Sequence, residues 1–347
     1  YSASIAMPDN PRFANYSPYH FLIRHAFSIV IALVVAVLVF QVPIDTWERA
    51  APWVFVVSLL LLILVLIPFI GKGVNGARRW LNIGITRIQP SELMKIAAPL
   101  MLAWYFHRYE GTLRARNYLL AAVLLLVPVV LIARQPDLGT ALLVFAAGLY
   151  VIILAGLPWK WILPVIVLGV VGILLLIIFG STICAQDVVW PFVHNYQKHR
   201  ICTLLDPSSD PLGKGFHTIQ SMIAIGSGGF FGKGWFQGTQ AHLEFIPEKH
   251  TDFVFAVYSE EFGLLGNLVL LALFFALIKR GLAISASAPN LFTRLLGAAI
   301  TLIFFTYAFV NIGMVSGLLP VVGVPLPFIS YGGTALVTLG FGAGILM

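Results

Sequence analysis

Asp252 is the residue best placed to do chemistry. It follows the polar run Pro247-Glu248-Lys249-His250-Thr251 and stands at the mouth of a long apolar stretch. A carboxylate at a boundary between water and an apolar phase is partly desolvated, which suits it to general base work. Asp is also among the best helix caps, because its oxygens accept N–H groups of the first turn; spacing alone leaves both roles open. Glu260 lies two turns further on, on the same face, either as a second functional acid or as a buried partner for a cation of another helix. His250 offers a second proton carrier or a hydrogen-bond partner. Glu248 and Thr251 flank the approach to Asp252.

A second group lies earlier in the chain. Glu92 and Lys95 are three residues apart, so they share one helical face and can pair. The pair serves either as a structural tie between helices or as part of a site. Arg78-Arg79, followed by Trp80, stands beside an apolar run, and the guanidinium fork matches two phosphate oxygens. Arg200 belongs to a further basic stretch with Lys198, Lys214, Lys233 and Lys249. Three polar clusters stand at helix entries: Gln89-Pro90-Ser91-Glu92, Arg134-Gln135-Pro136-Asp137 and Ser330-Tyr331-Gly332-Gly333. Each reads as cap chemistry or as part of a shared polar face. The glycine-rich stretch from Gly226 to Gly238 lacks the strand-then-helix frame of a nucleotide loop.

The elements that must position these residues are membrane helices. Hydrophobic residues make up 59% of the 347 and charged residues 10%, against about 25% charged in soluble domains; mean hydropathy is +0.94. Runs near the roughly 20 residues needed to span a bilayer recur along the chain. Backbone in lipid must satisfy its own hydrogen bonds, so they should be helices. Nine passages are predicted, near 22–42, 52–70, 91–106, 117–133, 138–155, 161–179, 252–278, 291–315 and 328–347. The fold class is therefore all-α, a polytopic helix bundle in one membrane domain over 1–347, with a large loop near 181–250. Arginine and lysine in loops 107–116 and 279–294 assign that side to the cytoplasm. Segments 1–20, 71–90, 134–137, 181–250 and 316–327 are then outside, together with the polar clusters and Asp252. The net charge of +7 is dispersed over loops and forms no nucleic-acid patch. Cys184 and Cys202 lack metal-ligand spacing; they either pair or remain free thiols. No cleavable leader is evident at Tyr1-Ser2-Ala3-Ser4.

At the polar clusters the chain resembles the SEDS family of bacterial cell-wall proteins (RodA, FtsW and SpoVE). The matching pieces are Asn75 to Trp80, Gln89 to Lys95, Gln135 to Thr140, Asp206 to Gly215, Gln220 to Gly229, Pro247 to Phe253 and Pro325 to Gly333, in family order. Gly234-Trp235-Phe236-Gln237-Gly238-Thr239-Gln240 and the region from Gly317 to Gly333 are similar to RodA; the opening third is more like FtsW.

The resemblance implies a ten-helix fold, of which the first helix is absent from this chain. It also implies polymerisation of lipid II into glycan strands on the outer face of the bacterial cytoplasmic membrane, serving cell elongation and shape. Asp252 matches the family's essential aspartate, and Trp80, Glu92, Lys95 and Glu260 match other functional positions. The implied partners are lipid II, the nascent glycan strand, a class B penicillin-binding transpeptidase and membrane proteins of the elongation machinery. Asp252 would act as the single base of an inverting transfer, with Lys95, Arg78 and Arg79 on the pyrophosphate. A divalent cation, Mg or Mn, could assist. The alternatives are a lipid II flippase, a division-type polymerase and a non-catalytic scaffold.

Overall fold

The computed structural model describes residues 19–67, 71–74, 77–82, 87–185, 188, 195–210, 213–242 and 249–347. Helices in chain order are α1 (His20–Phe40), α2 (Ile44–Leu66), α3 (Pro90–Arg108), α4 (Ala115–Ala133), α5 (Leu138–Leu154), α6 (Trp159–Ile178), α7 (Gly180–Ile183), α8 (Asn195–Leu205), α9 (Lys214–Ser227), α10 (Thr239–His242), α11 (Val254–Ser287), α12 (Leu291–Val315) and α13 (Gly333–Leu346). Each of the nine predicted passages is occupied by a helix. Six of them, α1, α2, α4, α6, α11 and α12, are long and apolar enough to cross a membrane unaided, and α5 and α13 are shorter apolar helices. The protein is a multi-pass helical membrane protein.

Between α2 and α3 runs a small antiparallel sheet, β1 (Gly71–Val74), β2 (Ala77–Asn82) and β3 (Arg87–Ile88), in the order β1-β2-β3. Lys72 pairs with Trp80 and Leu81 with Ile88, and a bulge falls at Lys72/Gly73. Strands are not expected here from the sequence because these are short and rich in Gly and Arg. Helix boundaries also differ. α2 starts at Ile44 rather than near 52, because the polar turn Asp45 to Arg49 is helical and Pro43 precedes it. α13 starts only at Gly333, and Phe328 before it has φ 63°.

The chain divides into two compact units. The first comprises 19–21, Leu157–Leu271 and Phe309–Leu326; the second comprises Leu22–Gly156, Ala272–Ala308 and Pro327–Met347. In the second unit α3 is central and packs against α2, α4, α5 and α13. It is the least apolar of the long helices here, yet Met94, Ala97, Ala98, Leu100, Leu102, Ala103 and Phe106 are buried. Its small residues let neighbouring backbones approach closely, the usual means of helix association in lipid. Gly148 of α5 serves the same purpose: a Cβ there would overlap Leu125 of α4 and lie 2.9 Å from Leu102 of α3. Gly340 and Gly344 of α13 likewise lie against the backbone oxygens of Ala32 and Ala36 of α1.

Polar contacts mark the two ends of this bundle. At one end His107 meets Glu48 at 3.6 Å and Glu110 at 3.3 Å, and Tyr118 donates to the Gly156 carbonyl at 3.1 Å. At the other, Arg79 donates to the Gln135 carbonyl at 3.3 Å. The loops thus alternate between ends as spanning helices require.

In the first unit α6 has no buried residue. A disulfide joins Cys184 to Cys202, so the pairing left open by the sequence is made.

Candidate functional site

In the first unit, Asp252 lies in the turn 251–253 that leads into α11. The helix begins at Val254, so Asp252 stands one residue ahead of the cap position. Its backbone is fixed from α12: Asn311 Nδ2 donates to the Asp252 carbonyl at 2.9 Å and to the Val324 carbonyl at 2.7 Å. Asn311 is fully buried. Beside Val324, Gly323 has φ +75°, and a Cβ there would lie 3.2 Å from Asp252 Oδ2. The positive φ favours glycine at this point of loop 316–326, and a Cβ there would make a tight contact with the carboxylate. The ring of His250 stacks on Phe21 with centroids 4.3 Å apart. Arg200 of α8 lines a small cavity with Thr203, Thr218 and Leu319.

Glu260 lies further along α11, fully buried, and its cation comes from a turn rather than from a helix. Lys233 Nζ stands 2.7 Å from Glu260 Oε1. The same oxygen accepts from Thr239 Oγ1 at 3.0 Å and from the Gln240 amide at 3.1 Å. A buried carboxylate requires such a set of donors. Glu260 therefore clamps the 228–242 segment to α11.

In the second unit two polar groups surround the start of α3. Gln89 Nε2 donates to Ser91 Oγ at 3.0 Å and to Asp137 Oδ2 at 2.9 Å, while Asp137 caps α5 through the Thr140 amide at 3.3 Å. Arg79 donates to the carbonyls of Gln135 and Pro136 and stands 3.9 Å from Asp137. Gln135 in turn donates to the Leu62 carbonyl at 3.3 Å. These contacts bring Arg79, Gln89, Ser91, Gln135 and Asp137 together, and the cap reading of Asp137 holds beside its contact with Gln89.

One turn deeper, Lys95 Nζ stands 2.6 Å from Glu92 Oε1 and 2.5 Å from the Tyr307 hydroxyl. Thr338 of α13 donates to Glu92 Oε2 at 3.2 Å. Lys95 is 3% exposed and Tyr307 fully buried. The pair expected from the spacing is made, and it ties α3 to α12 and α13. Beside it lies a mostly apolar cavity of about 420 Å³, lined by Trp47, Trp53, Ser58, Glu92, Thr338 and Phe341 among others.

Asn311, Tyr307 and Thr338 are uncharged polar residues inside apolar runs, a weaker sequence signal than the charges of Glu92, Lys95 and Asp252. Trp80 lies in β2 opposite Lys72, and Ser330 is buried just ahead of α13. Of Arg78 only the backbone in β2 is described, and Glu248 lies outside the described residues. Among the described residues no cluster of three or more His, Cys, Asp or Glu could hold a metal ion.

The FtsW/RodA/SpoVE family, described as "Cell cycle protein", matches residues 1–347. Peptidoglycan glycosyltransferase MrdB of Escherichia coli K12 is 50% identical over 321 residues, covering 92% of this chain and 83% of that protein. A probable peptidoglycan glycosyltransferase FtsW of Burkholderia thailandensis is 38% identical, covering 97% and 71%. Among solved structures, a chain of a peptidoglycan synthase complex coordinating polymerization and crosslinking superposes with TM-score 0.75 at 35% identity, covering 94% and 88%. Rod shape determining protein RodA of Thermus thermophilus superposes with TM-score 0.67 at 29% identity, covering 99% and 89%.

Proposed function

The chain belongs to the FtsW/RodA/SpoVE family of cell cycle proteins, and from that premise we propose that it is a peptidoglycan glycosyltransferase, polymerising lipid II into glycan strands. The observation that carries this is the 50% identity to the glycosyltransferase MrdB across 92% of the chain. The lower identity to the FtsW relative, 38%, favours an elongation-type enzyme over a division-type one.

Asp252 is the base. Its carboxylate takes the proton of the acceptor sugar's 4-hydroxyl as that oxygen attacks the anomeric carbon of the donor. The bond from that carbon to the lipid pyrophosphate breaks as the new glycosidic bond forms, and the pyrophosphate leaves with the bonding pair. Configuration inverts in this single displacement. One carboxylate suffices because the leaving group is already activated, unlike the pair that glycoside hydrolases use. Asn311 holds the base from behind, and Gly323 lets the neighbouring loop close on it without filling the space a substrate needs.

Arg200, in the same unit as Asp252, is assigned to the pyrophosphate, as preorganised cations serve phosphate chemistry. Lys95, buried against Glu92 and Tyr307, serves by fixing Glu92. The apolar cavity beside Glu92 has room for part of a prenyl chain. The active face is assigned to the outside of the cytoplasmic membrane. The Cys184–Cys202 disulfide supports this, since disulfides persist in oxidising compartments. A transpeptidase that crosslinks the product is the proposed partner.

The test is polymerisation of labelled lipid II by the reconstituted protein with its transpeptidase, with Asp252 intact and as Asp252→Ala. Loss of the base should lower the rate by about a hundredfold to ten-thousandfold. Equal polymer from both forms would remove Asp252 from the chemistry.

A further inference from the structure

Gly263 interrupts α11: its φ is 63° and ψ −163°. A break in a spanning helix frees backbone groups that lipid cannot satisfy. Here a turn from another part of the first unit satisfies them. The amides of Leu264 and Leu265 donate to the carbonyls of Gly229 at 2.9 Å and Phe230 at 3.0 Å. In the other direction, the amides of Lys233 and Gly234 donate to the carbonyls of Glu260 and Glu261, each at 3.0 Å. Glycine is required along this seam: a Cβ at Gly228, Gly232 or Gly263 would overlap backbone of the opposite strand of chain. The Lys233–Glu260 pair closes the same junction. The 228–236 turn is thus fixed at the height of the break.

Yet this fixed turn carries three large aromatic side chains outward. Phe230 is 54% exposed, Phe231 77% and Trp235 60%. Their height follows from the sequence of α11. The apolar run after Gly263 ends at Lys279-Arg280. Counting back the roughly 20 residues that fill a hydrocarbon core puts its far boundary near Glu260. The break and the turn pinned to it therefore lie at that boundary, where tryptophan and other aromatic side chains sit with one part in acyl chains and one near headgroups.

We propose that the 228–236 turn is an interfacial lipid contact, with Phe230 and Phe231 among the acyl chains of the leaflet nearest Asp252 and Trp235 at its headgroups. The turn sets how far the head of α11 stands clear of the bilayer. This goes beyond the proposed glycosyl transfer and rests only on the membrane-spanning character of α11.

The experiment uses the full chain in lipid nanodiscs, its disulfide intact, with a nitroxide at Phe231→Cys and, separately, at Phe230→Cys. Collision with oxygen, which concentrates in lipid, is compared with collision with a water-soluble nickel complex. Leu268→Cys on the exposed apolar face of α11 gives the lipid reference, and Thr112→Cys in the exposed loop between α3 and α4 the water reference. The expected oxygen-to-nickel ratio at both turn positions is several-fold above that of Thr112→Cys and close to that of Leu268→Cys. A ratio equal to the Thr112→Cys value overturns the proposal. So does low access to both agents, which would mean that protein covers the turn. Glu260→Gln should shift the Phe231→Cys label toward the water value; no shift in a folded variant would overturn the clamp.

Discussion

The side-chain amide of Asn311 holds the main chain of Asp252, donating to its carbonyl at 2.9 Å and to that of Val324 at 2.7 Å. One buried side chain on α12 thereby sets both the proposed base and the loop that closes on it. Asn311→Ala removes both bonds without touching the carboxylate. A misplacement near 1 Å costs on the order of a hundredfold in rate. The expected result is a fall of that size in kcat with KM for lipid II nearly unchanged, read from polymerisation kinetics. A merely structural role would instead lower the folded fraction and leave kcat of the folded protein alone.

Lys95 and Glu92 form a buried pair that Tyr307 and Thr338 complete. Removing one partner of such a pair leaves an uncompensated charge, at a cost of about 3–5 kcal/mol. Lys95→Met should therefore lower the unfolding temperature markedly more than Tyr307→Phe, which removes one hydrogen bond to a charged group, about 1.5–3 kcal/mol. Thermal unfolding of the two purified variants in the same detergent decides the order.

Gly148 lies where a methyl group would strike Leu125 and crowd Leu102. Overpacking of this kind costs about 1–3 kcal/mol. Gly148→Ala should lower thermal stability while leaving the Lys95–Glu92 network in place. An unfolding temperature equal to that of the parent would show that the α3, α4 and α5 crossing yields more easily than its geometry implies.

The disulfide offers a check on orientation. In intact cells, a membrane-impermeant reductant followed by an impermeant maleimide should label Cys184 and Cys202. Labelling only after the membrane is permeabilised would place this loop, and the face assigned to catalysis with it, on the cytoplasmic side.

The helices are legible because hydropathy is a strong signal over twenty residues, and each of the nine passages holds a helix. What hydropathy does not carry was missed. The polar first turn of α2, Asp45 to Arg49, reads as a loop until Pro43 ahead of it is given weight. The strands of 71–88 are too short and glycine-rich to show alternation. The Glu92–Lys95 pair was readable from spacing, since one helix fixes it. Tyr307, Asn311 and Thr338 come from distant helices, and Lys233 reaches Glu260 from a turn. Those relationships depend on tertiary packing, which a local pattern does not encode.

Gly340 and Gly344 of α13 press against the backbone of Ala32 and Ala36 in α1, so the first long helix of the chain is matched to the last. Chains emerge from the ribosome N-terminal part first. α1 must therefore enter the membrane and wait, with Ala32 and Ala36 not yet covered by α13, while the intervening helices are inserted. The α1–α13 seam can form only once α13 has been inserted. A ribosome stalled before α13 would leave α3 packed on α2, α4 and α5 but with this seam open and Glu92 without Thr338.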